Sequence, residues 1–316
     1  MQRVTLIYNP VSGQLTARRA AALQQVQDLV RSAGVDVTAY ETTTPGSATE
    51  LARQAVAQGC DTVLACGGDG TIHAVLQGLA GTPVAMGVIP LGTANVLAAN
   101  LGLNGSPAKN VQALLDAAPT PVPMARIHYR DLDGSPGSRY FIVAAGIGSD
   151  AVVMARMDAN LKRRLGYILY VLEAFRIWAT SSFPLFKAVF TPLDGSAPRS
   201  VPISQLLAIR VRSLGGVLHE FAPGATLHNG NLCLMAFRTQ SRLRYLRFFM
   251  AVVFKRQRFS REVELWNTTA IDCSALGDAA APIYVEADGE LLGTLPVRIE
   301  TTAEKLVLLV PPQAQP

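Results

Sequence analysis

Apolar positions in the first hundred residues alternate between short unbroken runs and stretches of helical spacing. Runs of strand length stand at residues 4–8, 35–40, 61–66 and 83–89. Between them apolar residues recur every three or four positions, as Ile72, Val75, Leu76 and Leu79 do after the third run. This pattern predicts four strands, each followed by a helix: one ending near residue 31, one over 47–58, one after residue 70 and one running on to 101. Ser47, with Glu50 three residues later, reads as the N-cap of the second helix. Strands alternating with helices predict a parallel sheet with helices on its faces.

At residue 118 the pattern changes. Ala118-Pro-Thr-Pro-Val-Pro123 cannot continue a helix and reads as a linker. Beyond it, short strand-like runs at 139–145, 186–190, 204–212, 232–238, 263–266, 283–285 and 306–310 are separated by Gly, Pro, Asp or Ser, the density of a β-sandwich or curled sheet. Two helical segments interrupt them: 154–180, with Leu161, Leu165, Ile168, Leu169, Leu172 and Phe175 along one face, and 241–254. The expected division is an α/β domain over 1–123, a β-rich sandwich domain with two helical insertions over 124–295, and a C-terminal strand segment over 296–316.

The chain has 316 residues, 49% hydrophobic, more than one core normally accommodates. Cys60, Cys66, Cys233 and Cys273 show no Cys-x-x-Cys spacing, which argues against a zinc site or disulfide framework and fits a reducing cytoplasm. No signal-peptide pattern precedes residue 4. The longest candidate span, residues 166–179, is broken by Glu173 and Arg176 and is too short to cross a bilayer, so a soluble protein is expected.

Charge is unevenly spread. Residues 1–123 carry six basic and seven acidic side chains, net −1, with Lys109 the only lysine; residues 124–316 carry 22 and 16, net +6. The basic half is expected to face something anionic. From Arg238 to Arg261 there are eight basic residues and no acidic one, interleaved with Leu243, Leu246, Phe248, Phe249, Met250 and Phe254. That composition fits either a helix lying on an anionic membrane surface or a core-packing helix with a solvated basic rim, and it favours lipid over nucleic acid.

Three polar, glycine-bearing loops each follow a predicted strand: Asn9-Pro10-Val11-Ser12-Gly13, Gly67-Gly68-Asp69-Gly70-Thr71 and Gly92-Thr93-Ala94-Asn95. In an open parallel sheet the carboxyl ends of the strands form the ligand crevice. Glycines there let backbone amides and a helix start approach phosphate oxygens. With so few cations in this half, a phosphate ligand would be held mainly by amides, helix ends and a metal. Asp69 would repel bare phosphate, so its partner is a metal ion, a ribose hydroxyl or a proton to be moved. There is no P-loop, and the third glycine of a dinucleotide fingerprint is missing.

These three loops, together with Glu286-Ala-Asp-Gly-Glu290, resemble in order and spacing the diacylglycerol kinase catalytic-domain family, in its soluble bacterial lipid-kinase branch. The likeness runs over nearly the whole chain; Gly-Gly-Asp-Gly alone would also suit an NAD kinase or a phosphofructokinase. The resemblance implies an ATP- and Mg2+-dependent lipid kinase, with the final strand returning to the first domain. It implies an ATP site lined by Asn9, Pro10, Val11, Ser12, Gly13, Thr42, Gly67, Gly68, Asp69, Gly70, Thr71, Ile72, His73 and Thr93, and carboxylates at Asp288 and Glu290 working at the reacting hydroxyl. Phosphoryl transfer needs a held triphosphate, magnesium and an acceptor for the alcohol proton. Asp288 or Glu290 serves as general base and Asp69 as a magnesium- or network-holding carboxylate. As bare sequence, Asp288-Gly289 also reads as an ordinary type I′ hairpin turn.

Three positions depart from the family pattern. His73-Ala74 stands where Asn-Glu is usual, Val96 follows Asn95 where Asp is usual, and Asn229 replaces an Asp that helps hold a structural magnesium. By position that metal would take Asn229 and the carbonyls of Thr226 and Asn231, and an uncharged amide is a weak partner for a hard dication. The expected setting is cytoplasmic, peripheral to the inner face of the membrane, with a lipid substrate at an anionic surface and no nucleic acid; a homodimer is compatible with it. An NAD kinase-like enzyme and a catalytically degenerate nucleotide- or lipid-binding member are the competing readings.

Overall fold

The computed structural model describes residues 1–10, 17–92, 94–149, 151–152, 176, 183–215, 222, 224–253, 263–277 and 282–314. The chain divides into two units, Met1–Met124 with Ala303–Pro316, and Ala125–Thr302.

The first unit alternates β1 (Arg3–Tyr8), α1 (Ala17–Ser32), β2 (Asp36–Glu41), α2 (Ser47–Ala57), β3 (Thr62–Gly67), α3 (Asp69–Leu79), β4 (Ala85–Pro90) and α4 (Val96–Asn100). A further helix, α5 (Pro107–Leu115), follows; Ser106 caps it by accepting the Lys109 amide, with Pro107 in the first turn. The strand order is β2-β1-β3-β4, all parallel. Val307 and Leu308 then pair in parallel with Ala85 and Met86, adding a fifth strand beside β4.

Since the chain leaves β1 toward β2 on one side and β3 toward β4 on the other, the sheet reverses direction between β1 and β3. α1 packs on α5 and α2 on α3, and right-handed crossovers set these two pairs on opposite faces. The loops after β1 and β3 therefore part, leaving a crevice at the strand ends. Close packing of α2 on α3 depends on Gly78, where a Cβ would lie 2.5 Å from the Thr49 carbonyl oxygen and 2.6 Å from Ala52 Cβ.

The predicted cap of α2 is corrected. Gly46, at φ 86°, occupies the N-cap, and Ser47 lies inside the helix. Its Oγ accepts the amides of Thr43 and Thr44 and donates to the Thr44 carbonyl, closing the preceding turn instead.

The expected linker at 118–123 is also corrected: it opens β5 (Ala118–Arg130). Pro119, Pro121 and Pro123 alternate, so their missing amides share one side of an extended strand, where a proline is tolerated if that side is unpaired.

The second unit is antiparallel. Its strands are β6 (Pro136–Phe141), β7 (Ala144–Ile147), β8 (Phe186–Phe190), β9 (Arg199–Ile203), β10 (Gln205–Ile209), β11 (Leu232–Phe237), β12 (Val263–Thr268), β13 (Ala270–Ala275), β14 (Tyr284–Ala287) and the greater part of β15 (Glu290–Val310). One run reads β12-β11-β10-β7-β14-β15; β13, β8 and β9 continue from β15, and β5 pairs with β15 and β6. The sandwich core joins Phe141, Phe186, Ile203, Leu206, Leu234 and Ile299, with Phe190 stacked on Trp266 at 4.5 Å.

The single strand expected at 139–145 is two, interrupted at Ile142 and Val143. α6 (Arg242–Val253) matches the second helical prediction. Its inner face is core: Tyr245 stacks on Phe183 at 4.1 Å and meets the Ser204 hydroxyl at 2.8 Å, while Phe248 sits edge-on to Phe237. Its outer face carries Leu243 at 67% exposure, Arg247 and Met250. The helix expected at 154–180 lies outside the described residues but for Arg176, as does the basic continuation at 254–261. Among the described residues no helix is long and apolar enough to cross a membrane.

Candidate active-site geometry

Two constellations carry the sequence-predicted residues, one in each unit. In the first, β3 ends at Gly67 and α3 begins at Asp69. The amides of Asp69 and Gly70, opening α3, have no intrahelical acceptor and point along the positive end of the helix. Those of Thr71 and Ile72 are taken by the Gly68 carbonyl.

The loop after β4 touches this turn backbone to backbone. A Cβ on Gly92 would stand 2.5 Å from the Gly68 Cα, so only glycine fits. Asn95, in the left-handed region at φ 47°, folds its side chain onto Gly92, accepting that amide at 3.2 Å and donating to its carbonyl at 2.8 Å. Asp69 Oδ1 accepts the Val96 amide at 2.8 Å, and the Leu91 amide donates to the Gly67 carbonyl at 2.8 Å. The two glycine loops are thus one structure, with Asp69 as the tie. A side chain at 96 plays no part in it, because residue 96 contributes its N–H.

Other predicted nucleotide residues take varied places. Asn9 and Pro10 are half-buried at the end of β1, and the Thr42 amide donates to the Tyr8 carbonyl, bringing the β2 end alongside. Ile72 and His73 are buried in α3 at 0% and 1% exposure, so their side chains pack inside the first unit. Val11, Ser12, Gly13 and Thr93 lie outside the described residues. Between Arg53 and Lys109 there is no lysine or arginine.

The second constellation is the β14–β15 hairpin. Asp288 and Gly289 are its two-residue loop, with φ 51° and 80°, the sign type I′ requires at both positions. A surface turn would leave the aspartate in solvent, yet here it is buried. Asp288 Oδ1 accepts the amides of Val143 and Ala144 at 2.9 and 3.0 Å, Oδ2 accepts that of Ile142 at 3.1 Å, and the Asp288 amide donates to the Ala144 carbonyl at 2.8 Å. The break between β6 and β7 exists because these amides turn toward a carboxylate instead of a neighbouring strand.

Glu290 is built differently. It is more exposed, and Oε2 pairs with the Arg139 guanidinium at 2.7 Å. Buried Glu286 accepts the Gly289 amide at 2.9 Å through Oε2, bracing the turn from within.

The implied structural metal does not fit. Thr226, Asn229 and Asn231 lie close in one loop, but the Thr226 carbonyl accepts the Asn229 amide at 3.2 Å. The Asn229 and Asn231 carbonyls accept Arg210 Nη2 and Nη1 at 3.1 and 3.2 Å. The Asn229 side-chain amide donates to the Gly224 carbonyl. Among the described residues no cluster of three or more His, Cys, Asp or Glu side chains is placed to hold a metal ion. Arg210 escaped the sequence reading; the one signal for it was a lone arginine inside the apolar run 206–211.

Comparisons with known proteins cover nearly the whole chain. The profile of the diacylglycerol kinase catalytic domain matches residues 3–127, and that of the YegS C-terminal NAD kinase beta sandwich-like domain matches residues 142–310. A diacylglycerol kinase of Mycobacterium tuberculosis is 30% identical over 319 residues, covering 98% of this chain and 95% of the relative. One of Bacillus subtilis is 29% identical over 301 residues, covering 94% and 92%. Among solved structures, a diacylglycerol kinase of Bacillus anthracis superposes with TM-score 0.75 at 22% identity over 99% of both chains. Yeast NADH kinase, at 11% identity, superposes with TM-score 0.52 over 98% of this chain and 83% of its own, a likeness of fold.

Proposed function

The chain belongs to the family of the diacylglycerol kinase catalytic domain, a family of lipid kinases, and from that premise we propose that it transfers the γ-phosphate of ATP to a lipid hydroxyl, with diacylglycerol or a sphingoid- or ceramide-like lipid as acceptor. The observation that carries this reading is the Asp288 carboxylate. A type I′ turn has no use for a buried acid clasped by three amides; an enzyme that must orient an alcohol does.

The transition state of phosphoryl transfer is loose, so positioning and charge stabilisation matter more than a strong base. Asp288, ionised and fixed by its amides, orients the lipid hydroxyl and accepts its proton as the new P–O bond forms. Glu290, paired with Arg139, shapes the charge around it. On the nucleotide side, the opening amides of α3 receive phosphate oxygens. Asp69, whose Oδ1 keeps the two glycine loops together, is the carboxylate that would hold the magnesium of the nucleotide, which would offset phosphate charge there. Leu243, Arg247 and Met250 fit α6 to an anionic lipid surface, which would bring the kinase to its substrate.

The test is label transfer from [γ-32P]ATP to lipids in mixed micelles. Phosphate on a lipid species, lost in Asp288→Ala, is the expected result. Phosphate appearing on NAD and on no lipid would make the chain a nucleotide kinase; tight ATP binding with no transfer to either would make it a binding protein.

A further inference from the structure

We propose that the Arg210 guanidinium is the resident cation of the 224–231 loop, standing where the family pattern sets a divalent ion, and that through it the chain positions Asp288 with no structural metal. Arg210 follows β10 and is 1% exposed, among the most buried large side chains of the protein. Its two terminal nitrogens hold the carbonyls of Asn229 and Asn231, two oxygens two residues apart that converge on one positive group. A hard dication asks for such oxygens, but also for anionic ligands to offset its charge. Here the Asn229 side chain is neutral and turned to the Gly224 carbonyl. A second cation against the same oxygens would meet the fixed charge of Arg210, whose planar fork is already shaped to take two acceptors.

The same residue reaches Asp288. The Arg210 amide donates to the Val143 carbonyl at 2.9 Å, and the Val143 amide donates to Asp288 Oδ1 at 2.9 Å. Burial lowers the Arg210 pKa and the Asp288 charge offsets part of that, so the two groups sense each other's charge, and a guanidinium is cationic at neutral pH by its own chemistry. The backbone link belongs to position 210 whatever its side chain; the guanidinium adds its hold on the carbonyl loop and its charge facing Asp288. It acts through those groups, as a positioning residue.

The primary test uses the wild-type chain without nucleotide. Titration with Mn2+ followed by electron paramagnetic resonance is expected to show no stoichiometric ion whose binding depends on Asn229, and EDTA is expected to leave the melting temperature unchanged. An ion bound one per chain and lost in Asn229→Ala, or a melting temperature lowered by EDTA and restored by Mg2+, overturns the proposal. Arg210→Ala is expected to melt roughly ten degrees lower, and millimolar methylguanidinium to restore part of the loss; recovery with Mg2+ but not with methylguanidinium overturns it. If Arg210→Ala does not fold, Arg210→Lys supplies the second arm: kcat falls about ten-fold while KM for ATP holds within about two-fold, the split expected of a residue that orients an acid. Equal loss in both parameters removes the positioning role. That last arm alone rests on the lipid-kinase reading, so absence of transfer in wild type would sink that reading and leave the Mn2+ and melting results to decide this one.

Discussion

The turn at residues 67–71 and the turn at residues 288–289 both carry glycine, both end a strand, and are built on opposite principles. The first is neutral wherever it can be: backbone lies on backbone, helix amides face outward, and no lysine or arginine occurs between Arg53 and Lys109. The second concentrates charge, with Asp288 and Arg210 buried and Glu290 paired to Arg139. A magnesium triphosphate brings its own charges and asks the protein for donors. A lipid hydroxyl brings none, so the protein must hold an ion ready for it, and a buried ion must be tied to several partners. The contrast shows where charge has to be built into the fold and where the ligand carries it in.

The sharpest way to break this contrast is Asp288→Ala. Transfer is expected to fall roughly 10^2- to 10^4-fold, with ATP affinity nearly unchanged by calorimetry, and unfolding to become easier by about 3 kcal/mol because Arg210 loses its counter-charge. Preserved transfer would reduce the hairpin to a turn. Next is Gly92→Ala, whose Cβ would strike the Gly68 backbone; KM for ATP should rise about ten-fold and stability drop by about 1–3 kcal/mol, with kcat little altered. Asp69→Asn follows: about 1 kcal/mol of stability goes with the weaker acceptor for Val96, and half-saturation by the magnesium nucleotide should need more of it. If only stability changes, Asp69 ties loops and does not face the metal.

Smaller still is the pair Arg244→Gln and Arg247→Gln, expected to weaken sedimentation with anionic vesicles by about 1 kcal/mol per charge while leaving transfer to micellar lipid intact. The least effect belongs to a control remote from both turns. The Asp61 carboxylate is pushed up by partial burial, but the Arg3 amide, the Thr62 hydroxyl and the Gln2 amide outweigh that and hold its pKa below the ordinary value. Its contribution is present above the unfolded carboxylate range near 3.9 and disappears as pH falls through the lower folded value. Asp61→Asn should therefore flatten the acid limb of the melting curve by no more than about 2 °C, with no change in KM.

The same contrast explains what could be read in advance. Strands β1, β3 and β4 and their loops announce themselves through glycine spacing and local apolar runs, because a parallel unit is made of neighbours in sequence. The second constellation depends on contacts more than a hundred residues apart, such as Asp288 with Ile142, which no local pattern records. β9, β13 and the first half of β15 escaped because their alternation is diluted by exposed charged residues such as Arg298, which faces Asp272 at 2.7 Å. The prolines at 119–123 hid a strand because breaking a helix says nothing against an extended chain. Ile72 and His73 follow the glycines and so looked like part of the loop, whereas helical periodicity had already assigned Ile72 to the core.

The strand at Glu290–Val310 has a consequence for how the molecule comes into being. Its last residues complete the parallel sheet of the first unit beside a strand made some two hundred positions earlier. During synthesis on the ribosome the margin of β4 must wait, uncovered, for nearly the entire polypeptide to emerge. The first unit is begun first and closed last, so a stalled or clipped nascent chain would display an open, adhesive border where the finished enzyme has none.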